Sequence, residues 1–188
     1  EFDDDDGALL NSELFFTPTS TGRFYLEAQD ATDRHQGWYR LSVEEAVDDY
    51  GNNVSNAHSL DVSDTEALSG KIDRRGDVDV FAVALEQGIT YEFGLQGMSS
   101  NNGSLADPSL RLLDETGAFI NGDDNAGIGN DARFFYTSTA DQTLYLEAGA
   151  VKGQHGNYSL VVNKTDLPPD DYGDDPTTIE NLSLGGKR

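Results

Sequence analysis

The sequence predicts an all-β protein: a jelly-roll-like β-sandwich set in a fragment of a tandem repeat. Three observations carry that expectation. Short segments alternate apolar and polar residues at period two, acid is supplied mainly as Asp, and a stretch of about 120 residues begins to repeat itself. Of the 35 acidic residues, 24 are Asp and 11 are Glu, alongside 20 Gly. Asp competes with its own backbone for hydrogen bonds and favours caps and turns over helix interiors. The acid is therefore expected in the loops of a strand-rich chain.

The alternation marks the strands in order. In 79–85, Phe81, Val83 and Leu85 share one face and Val80, Ala82 and Ala84 the other. Tyr91, Phe93 and Leu95 repeat the pattern in 90–95. Segments 109–113 and 118–120 flank Asp114-Glu115-Thr116-Gly117, a hairpin-turn signal. Strands over 134–137, 143–148 and 158–163 complete the set. Seven or so short strands with frequent turns suggest a sandwich or jelly roll. Only 44–47 and 55–60 read as short helical turns.

The repeat is out of phase with the chain. Setting 3–28 over 123–148 without a gap gives ten identities in 26 positions, among them Phe15/Phe135 and Tyr25-Leu26-Glu27-Ala28 over Tyr145-Leu146-Glu147-Ala148. After a one-residue shift Gly37/Gly156, Tyr39/Tyr158 and Leu41/Leu160 also match. Asp48-Asp49-Tyr50-Gly51 recurs as Asp170-Asp171-Tyr172-Gly173. The expected organisation is a C-terminal half-repeat over 1–47, one complete sandwich over 48–166, and a linker with the start of a further repeat over 167–188, as in a piece of a longer array. Residues 1–46 lack partners equivalent to 67–120. They can pack on the complete unit, pair with 170–188, or complete a sandwich by strand exchange with another molecule.

A formal charge of −23 excludes most nucleic-acid binders, which need clustered Lys and Arg, and disfavours anionic membranes. No run approaches the roughly 18 apolar residues of a membrane-spanning helix. Zero Cys removes disulfides, thiol nucleophiles and Cys-type zinc sites. So much uncompensated charge calls for bound cations.

Three acidic clusters are candidate calcium sites, because calcium takes six to eight oxygens from carboxylates, amides and carbonyls. A hairpin centred between residues 115 and 116 would set Asp107 opposite Asp124 with Asp123 beside it, a pairing of like charges that a hard cation would relieve. The following loop adds Asn130 and Asp131, and its earlier copy holds Asp3 and Asp4. The plain alternative is a solvated loop with Asx turns. In the second cluster, Asp73, Asp77 and Asp79, the last shares the parity of Phe81 and so points towards the core. Its alternative is a buried carboxylate held by backbone N–H groups or by Arg74 and Arg75. The third cluster, Asp48, Asp49 and Asn52, lies at the repeat boundary, where a solvated linker is the alternative.

Asp48-Asp49-Tyr50-Gly51-Asn52, Gly76-Asp77-Val78-Asp79-Val80-Phe81, the segment 106–114, Leu144-Tyr145-Leu146-Glu147-Ala148 and Gly156-Asn157-Tyr158-Ser159-Leu160 together resemble bacterial pre-peptidase C-terminal domains. The resemblance covers 48–166 in full and 1–46 and 170–182 in part. It implies a jelly-roll sandwich appended to secreted proteases or repeated in large secreted and adhesin-like proteins. Similar collagen-binding modules bind calcium near the N-terminal linker, which implies a ligand role for Asp48, Asp49 and Asn52.

No His-Glu-x-x-His pair and no Gly-x-Ser-x-Gly elbow occurs, so no enzymatic activity is expected. Two readings follow. One is a calcium-binding structural spacer or accessory domain of a secreted or cell-surface protein. The other is a module binding extracellular polysaccharide or protein, for which Trp38 and Tyr39 are the candidate stacking residues.

Overall fold

In a computed structural model of the chain, the described residues are 12, 14–16, 18–30, 36–45, 47–62 and 67–165. The chain divides into two units, Glu1–Val47 and Asp48–Arg188. Among the described residues of the second unit nine strands form: β1 (His58–Leu60), β2 (Leu68–Ile72), β3 (Asp79–Leu85), β4 (Thr90–Gln96), β5 (Pro108–Leu113), β6 (Phe119–Asp123), β7 (Ala132–Thr137), β8 (Gln142–Ala150) and β9 (Gly156–Thr165). They build one sheet in the order β1-β3-β8-β5-β6 and another in the order β2-β9-β4-β7.

The pairing is nested. β5 pairs with β6, β4 with β7, β3 with β8 and β2 with β9, all antiparallel. Rolling up that long hairpin brings β4 beside β9 and β5 beside β8. This is the jelly-roll arrangement. Inward positions supply one core between the sheets, with Phe81, Val83, Tyr91, Phe93, Leu110, Leu112, Leu146, Tyr158 and Leu160 all buried. Removing such a side chain from water contributes about 1.5–3 kcal/mol each.

β1 adds to this frame in parallel with β3, setting His58 opposite Phe81 and Leu60 opposite Val83. The helical reading of 55–60 is thus corrected: a 3-10 turn covers only Val54–Asn56, and the chain then extends into β1. β2 was not anticipated either. Its sequence, Leu-Ser-Gly-Lys-Ile, places a glycine where an apolar residue would mark the inward face. That glycine is required. A Cβ on Gly70 would stand 2.3 Å from the Tyr158 hydroxyl oxygen, across the ladder.

The β5–β6 hairpin also differs from the expected register. Asp114 Oδ1 accepts from the N–H groups of Thr116 and Ala118 at 2.8 and 2.9 Å. Gly117 takes the left-handed conformation that closes the turn (φ 81°). A bulge then separates the pairs Leu113–Phe119 and Leu112–Asn121, so Leu110, and not residue 108, lies opposite Asp123. Asp107 therefore does not face Asp124. The tight Asp-capped turn and the bulge shift the strand by two residues from a plain hairpin.

In the first unit, no described residue is in a strand or helix. Phe16 and Phe24 meet edge to face at 4.9 Å between ring centroids. Many apolar side chains, Trp38 and Tyr39 included, remain exposed. No helix among the described residues is long and apolar enough to cross a membrane.

Gly70→Ala is expected to destabilise the sandwich by roughly 1–3 kcal/mol, the usual cost of overpacking, because Tyr158 must move. Urea unfolding of the two proteins checks this. An unchanged midpoint would mean that the β2–β9 approach is looser than the geometry requires.

Candidate metal centre

The parallel pairing of β1 with β3 brings their N-terminal approaches to the same end of the sandwich. One approach carries Asp48, Asp49 and Asn52; the other carries Asp73, Asp77 and Asp79. Tyr50 anchors the first. Its ring packs on Phe81 at 4.8 Å and on His58 at 5.1 Å, and its hydroxyl donates to the Ser69 carbonyl at 3.1 Å. The Gly51 carbonyl accepts from Val80 N at 2.8 Å, and Asp49 Oδ2 accepts from Lys71 N at 3.0 Å.

A turn closed by Asp77 N donating to the Arg74 carbonyl at 3.2 Å shapes the second approach. Asp77 Oδ2 accepts from Asp73 N at 2.8 Å, and Asp77 Oδ1 accepts from Asn52 Nδ2 at 3.2 Å. The two acidic segments, read from sequence as separate clusters, are therefore one site.

Asp79 begins β3 and is fully buried, as its parity required. Tyr158, and not backbone or arginine, holds it, the hydroxyl donating to Asp79 Oδ2 at 2.6 Å. Asp79 Oδ1 is buried with no hydrogen-bond partner, and so is Asn52 Oδ1. Two overlapping triads of carboxylates, Asp48/Asp49/Asp73 and Asp48/Asp77/Asp79, have ligand oxygens within 4.8 Å of one another. Oxygens on one calcium lie 2.3–2.6 Å from it, so two ligands are at most about 5 Å apart. The spacing fits an ion, with Asp48 common to both triads.

The electrostatics point the same way. Burial pushes Asp79 up from 3.8 to about 7; the charges of Asp49, Asp77 and Asp48 add to the rise and the Tyr158 hydroxyl opposes it. Burial also raises Asp49 and Asp77, with Asp48 and Asp73 contributing to both. Tyr158 is pushed upward by burial and by Asp79, so it stays a hydroxyl donor. Basic side chains answer some of the charge: Lys71 pairs with Asp73, and Arg74 stands 3.9 Å from Asp77.

The other expected ligands are placed differently. Asp123 Oδ2 accepts from the N–H groups of Asn125, Ala126 and Arg133 at 2.9, 2.7 and 2.9 Å, the Asx-turn alternative. Asp124 is exposed. Asn130 donates its amide to the Ala106 carbonyl at 3.3 Å. Asp131 is buried, with Oδ1 accepting from Gly97 N at 2.9 Å; its Oδ2 and Asp107 Oδ1 have no hydrogen-bond partner. Among the described residues, Asp107, Asp123, Asp124 and Asp131 do not enter a three-carboxylate group. Asp3 and Asp4 lie outside the described residues. Trp38 is fully exposed and Tyr39 largely so.

A scan against protein-family models and a search of curated proteins return no match. Among solved structures, the chain is similar to the pre-peptidase C-terminal domain of collagenase from Bacillus anthracis. That match has 14% identity and a TM-score of 0.45, and covers 57% of this chain and 95% of that domain. It is also similar to a periplasmic inhibitor of g-type lysozyme from Aeromonas hydrophila, with 10% identity, a TM-score of 0.39, and coverage of 57% and 96%.

Asp79 yields a pH prediction for the protein in chelator. Its folded value, about 7, exceeds the unfolded 3.8, so the fold binds this proton more tightly. That contribution is fully present below about pH 4 and is lost as pH rises through 7. Asp79→Asn removes it. Without metal, the variant's stability relative to the parent is expected to improve between pH 5 and pH 8 by on the order of 2–4 kcal/mol. Parallel denaturant titrations check this, and a pH-independent difference would contradict it.

Proposed function

We propose that this chain is a non-catalytic, calcium-binding β-sandwich module of a secreted protein, acting as a structural spacer or accessory domain. The observation that carries the reading is the buried, unpartnered Asp79 Oδ1 in a site where carboxylates from both approaches converge; Asn52, whose amide donates to Asp77, carries a second buried, unpartnered oxygen. Acceptors buried without a donor cost free energy, and a cation satisfies acceptors and charge together. The inner triad, Asp48, Asp77 and Asp79, with Asn52 Oδ1, gives an all-oxygen set that suits calcium better than the strict octahedron and retained waters of magnesium.

The role follows from where the ligands sit. Asp48, Asp49 and Asn52 belong to the segment entering the sandwich, whereas Asp73, Asp77 and Asp79 belong to its body. An ion between them clamps the entering chain to the fold. An extracellular setting, where free calcium is high, belongs to the same proposal. The polysaccharide- or protein-binding alternative rests on Trp38 and Tyr39. Tyr39 matches Tyr158, a core residue, so its exposure reads as an unfilled core position more readily than as a ligand platform.

Thermal melting with calcium and with chelator tests this. At free calcium about 100-fold above the dissociation constant the expected gain is about 2.7 kcal/mol, seen as a rise in Tm. Asp48→Asn and Asp77→Asn should each remove most of it. Equal Tm values in millimolar calcium and in chelator would overturn the calcium reading.

A further inference from the structure

We propose that Asn121 in β6 is a site of spontaneous deamidation, through attack of the Gly122 backbone nitrogen on its side-chain amide, and that this covalent change cuts a tie between the two sheets. β6 ends the five-stranded sheet and β7 ends the four-stranded one. Asn121 joins these two edges: its Nδ2 donates to the Phe135 carbonyl at 3.2 Å. Its Oδ1 accepts from the N–H of Gly122, the next residue, at 2.9 Å. One side-chain amide thus holds the other sheet with its nitrogen and its own strand with its oxygen. Both residues are half-buried, so solvent reaches them.

The second bond sets up the chemistry. A C=O bond is about 1.23 Å long, so the Gly122 nitrogen lies no more than about 4.1 Å from Asn121 Cγ. Atoms poised to react are about 3–3.5 Å apart, a gap that a modest side-chain rotation closes. The attacking nitrogen belongs to a glycine, which has no Cβ to crowd the ring that forms. That nitrogen gives its proton to solvent hydroxide and bonds to Cγ. The Cγ–Nδ2 bond breaks, Nδ2 leaves as ammonia, and a cyclic succinimide remains. Water then opens the ring at either carbonyl, leaving Asp or an isoaspartyl link. Nothing is oxidised or reduced.

The same dipeptide occurs at Asn102-Gly103, in a different setting. Asn102 Nδ2 donates to Gln96 Oε1 at 2.8 Å, and Asn102 N donates to the Gly97 carbonyl at 3.0 Å. That side chain is held by residue 96 rather than by the nitrogen that would attack it. The products at 121 act on the sheets. Asp puts a carboxylate oxygen where Nδ2 donated, so two acceptors face each other at the Phe135 carbonyl. The isoaspartyl link also adds a methylene to the backbone of β6, which displaces the pairs Arg111–Gly122 and Leu110–Asp123.

The test is incubation of the full chain, folded, in mildly alkaline buffer, followed by peptide mass mapping. A gain of about one dalton is expected in the peptide holding Asn121, arriving at least about ten-fold faster than in the peptide holding Asn102. In denaturant, where neither side chain is held, the two rates should converge. Asn121→Gln keeps an amide but needs a larger ring, and should abolish the gain at 121. Asn121→Asp, a stand-in for the product, should speed amide hydrogen exchange across 119–123 by about ten-fold or more. Conversion at Asn102 as fast as at Asn121 in the folded chain would overturn the proposal. So would exchange across 119–123 that Asn121→Asp leaves unchanged.

Discussion

A carboxylate buried at the start of β3 constrains much of this structure. Asp79 occupies an inward position of a core strand, next in parity to Phe81 and Val83. Burying a charge there is expensive unless something compensates it. Tyr158 compensates one oxygen, and it reaches Asp79 because Gly70 leaves room for its ring on the neighbouring strand. The second oxygen has no hydrogen-bond partner, and the carboxylates of Asp48 and Asp77 stand close to that of Asp79. A divalent cation bound there would relieve the burial cost, the repulsion and the missing partner at once.

Topology decides which acids join it. A parallel pair sets the beginnings of its two strands side by side, and among the described residues β1 with β3 is the one parallel pair in sheets that are otherwise antiparallel. The segment ahead of β1 thereby meets the turn ahead of β3, although Asn52 and Asp77 are 25 residues apart. Tyr50 packs the entering chain on Phe81, so the polar side chains that arrive from outside the sandwich are held by its core.

Much of this was legible in the sequence, for stated reasons. Period-two alternation located β3, β4, β5, β7, β8 and β9, because apolar residues mark the inward faces. The parity of Asp79 with Phe81 foretold its burial. β2 escaped because its inward glycine carries no hydrophobic signal, and β1 because three residues are too few to show a period. Missing β1 had a consequence: without the parallel pair, Asp48, Asp49 and Asn52 could not be joined to Asp77 and Asp79. The turn at 114–117 is legible, but the bulge is not, since a bulge depends on how Asp114 caps the turn and not on the alternation. That two-residue shift separated Asp107 from Asp124. Tyr158 as the partner of Asp79 was beyond sequence reasoning, being set by a contact across 79 residues.

The most direct measurement is a crystal structure of the chain grown in millimolar calcium, with anomalous scattering used to locate the ion. An ion within about 2.3–2.6 Å of oxygens from Asp48, Asp77 and Asp79, with Asn52 Oδ1 turned towards it, is the expected result. A calcium-soaked crystal in which Asp79 Oδ1 meets only water or a proton, or in which the ion sits at the 123–131 loop instead, would contradict it.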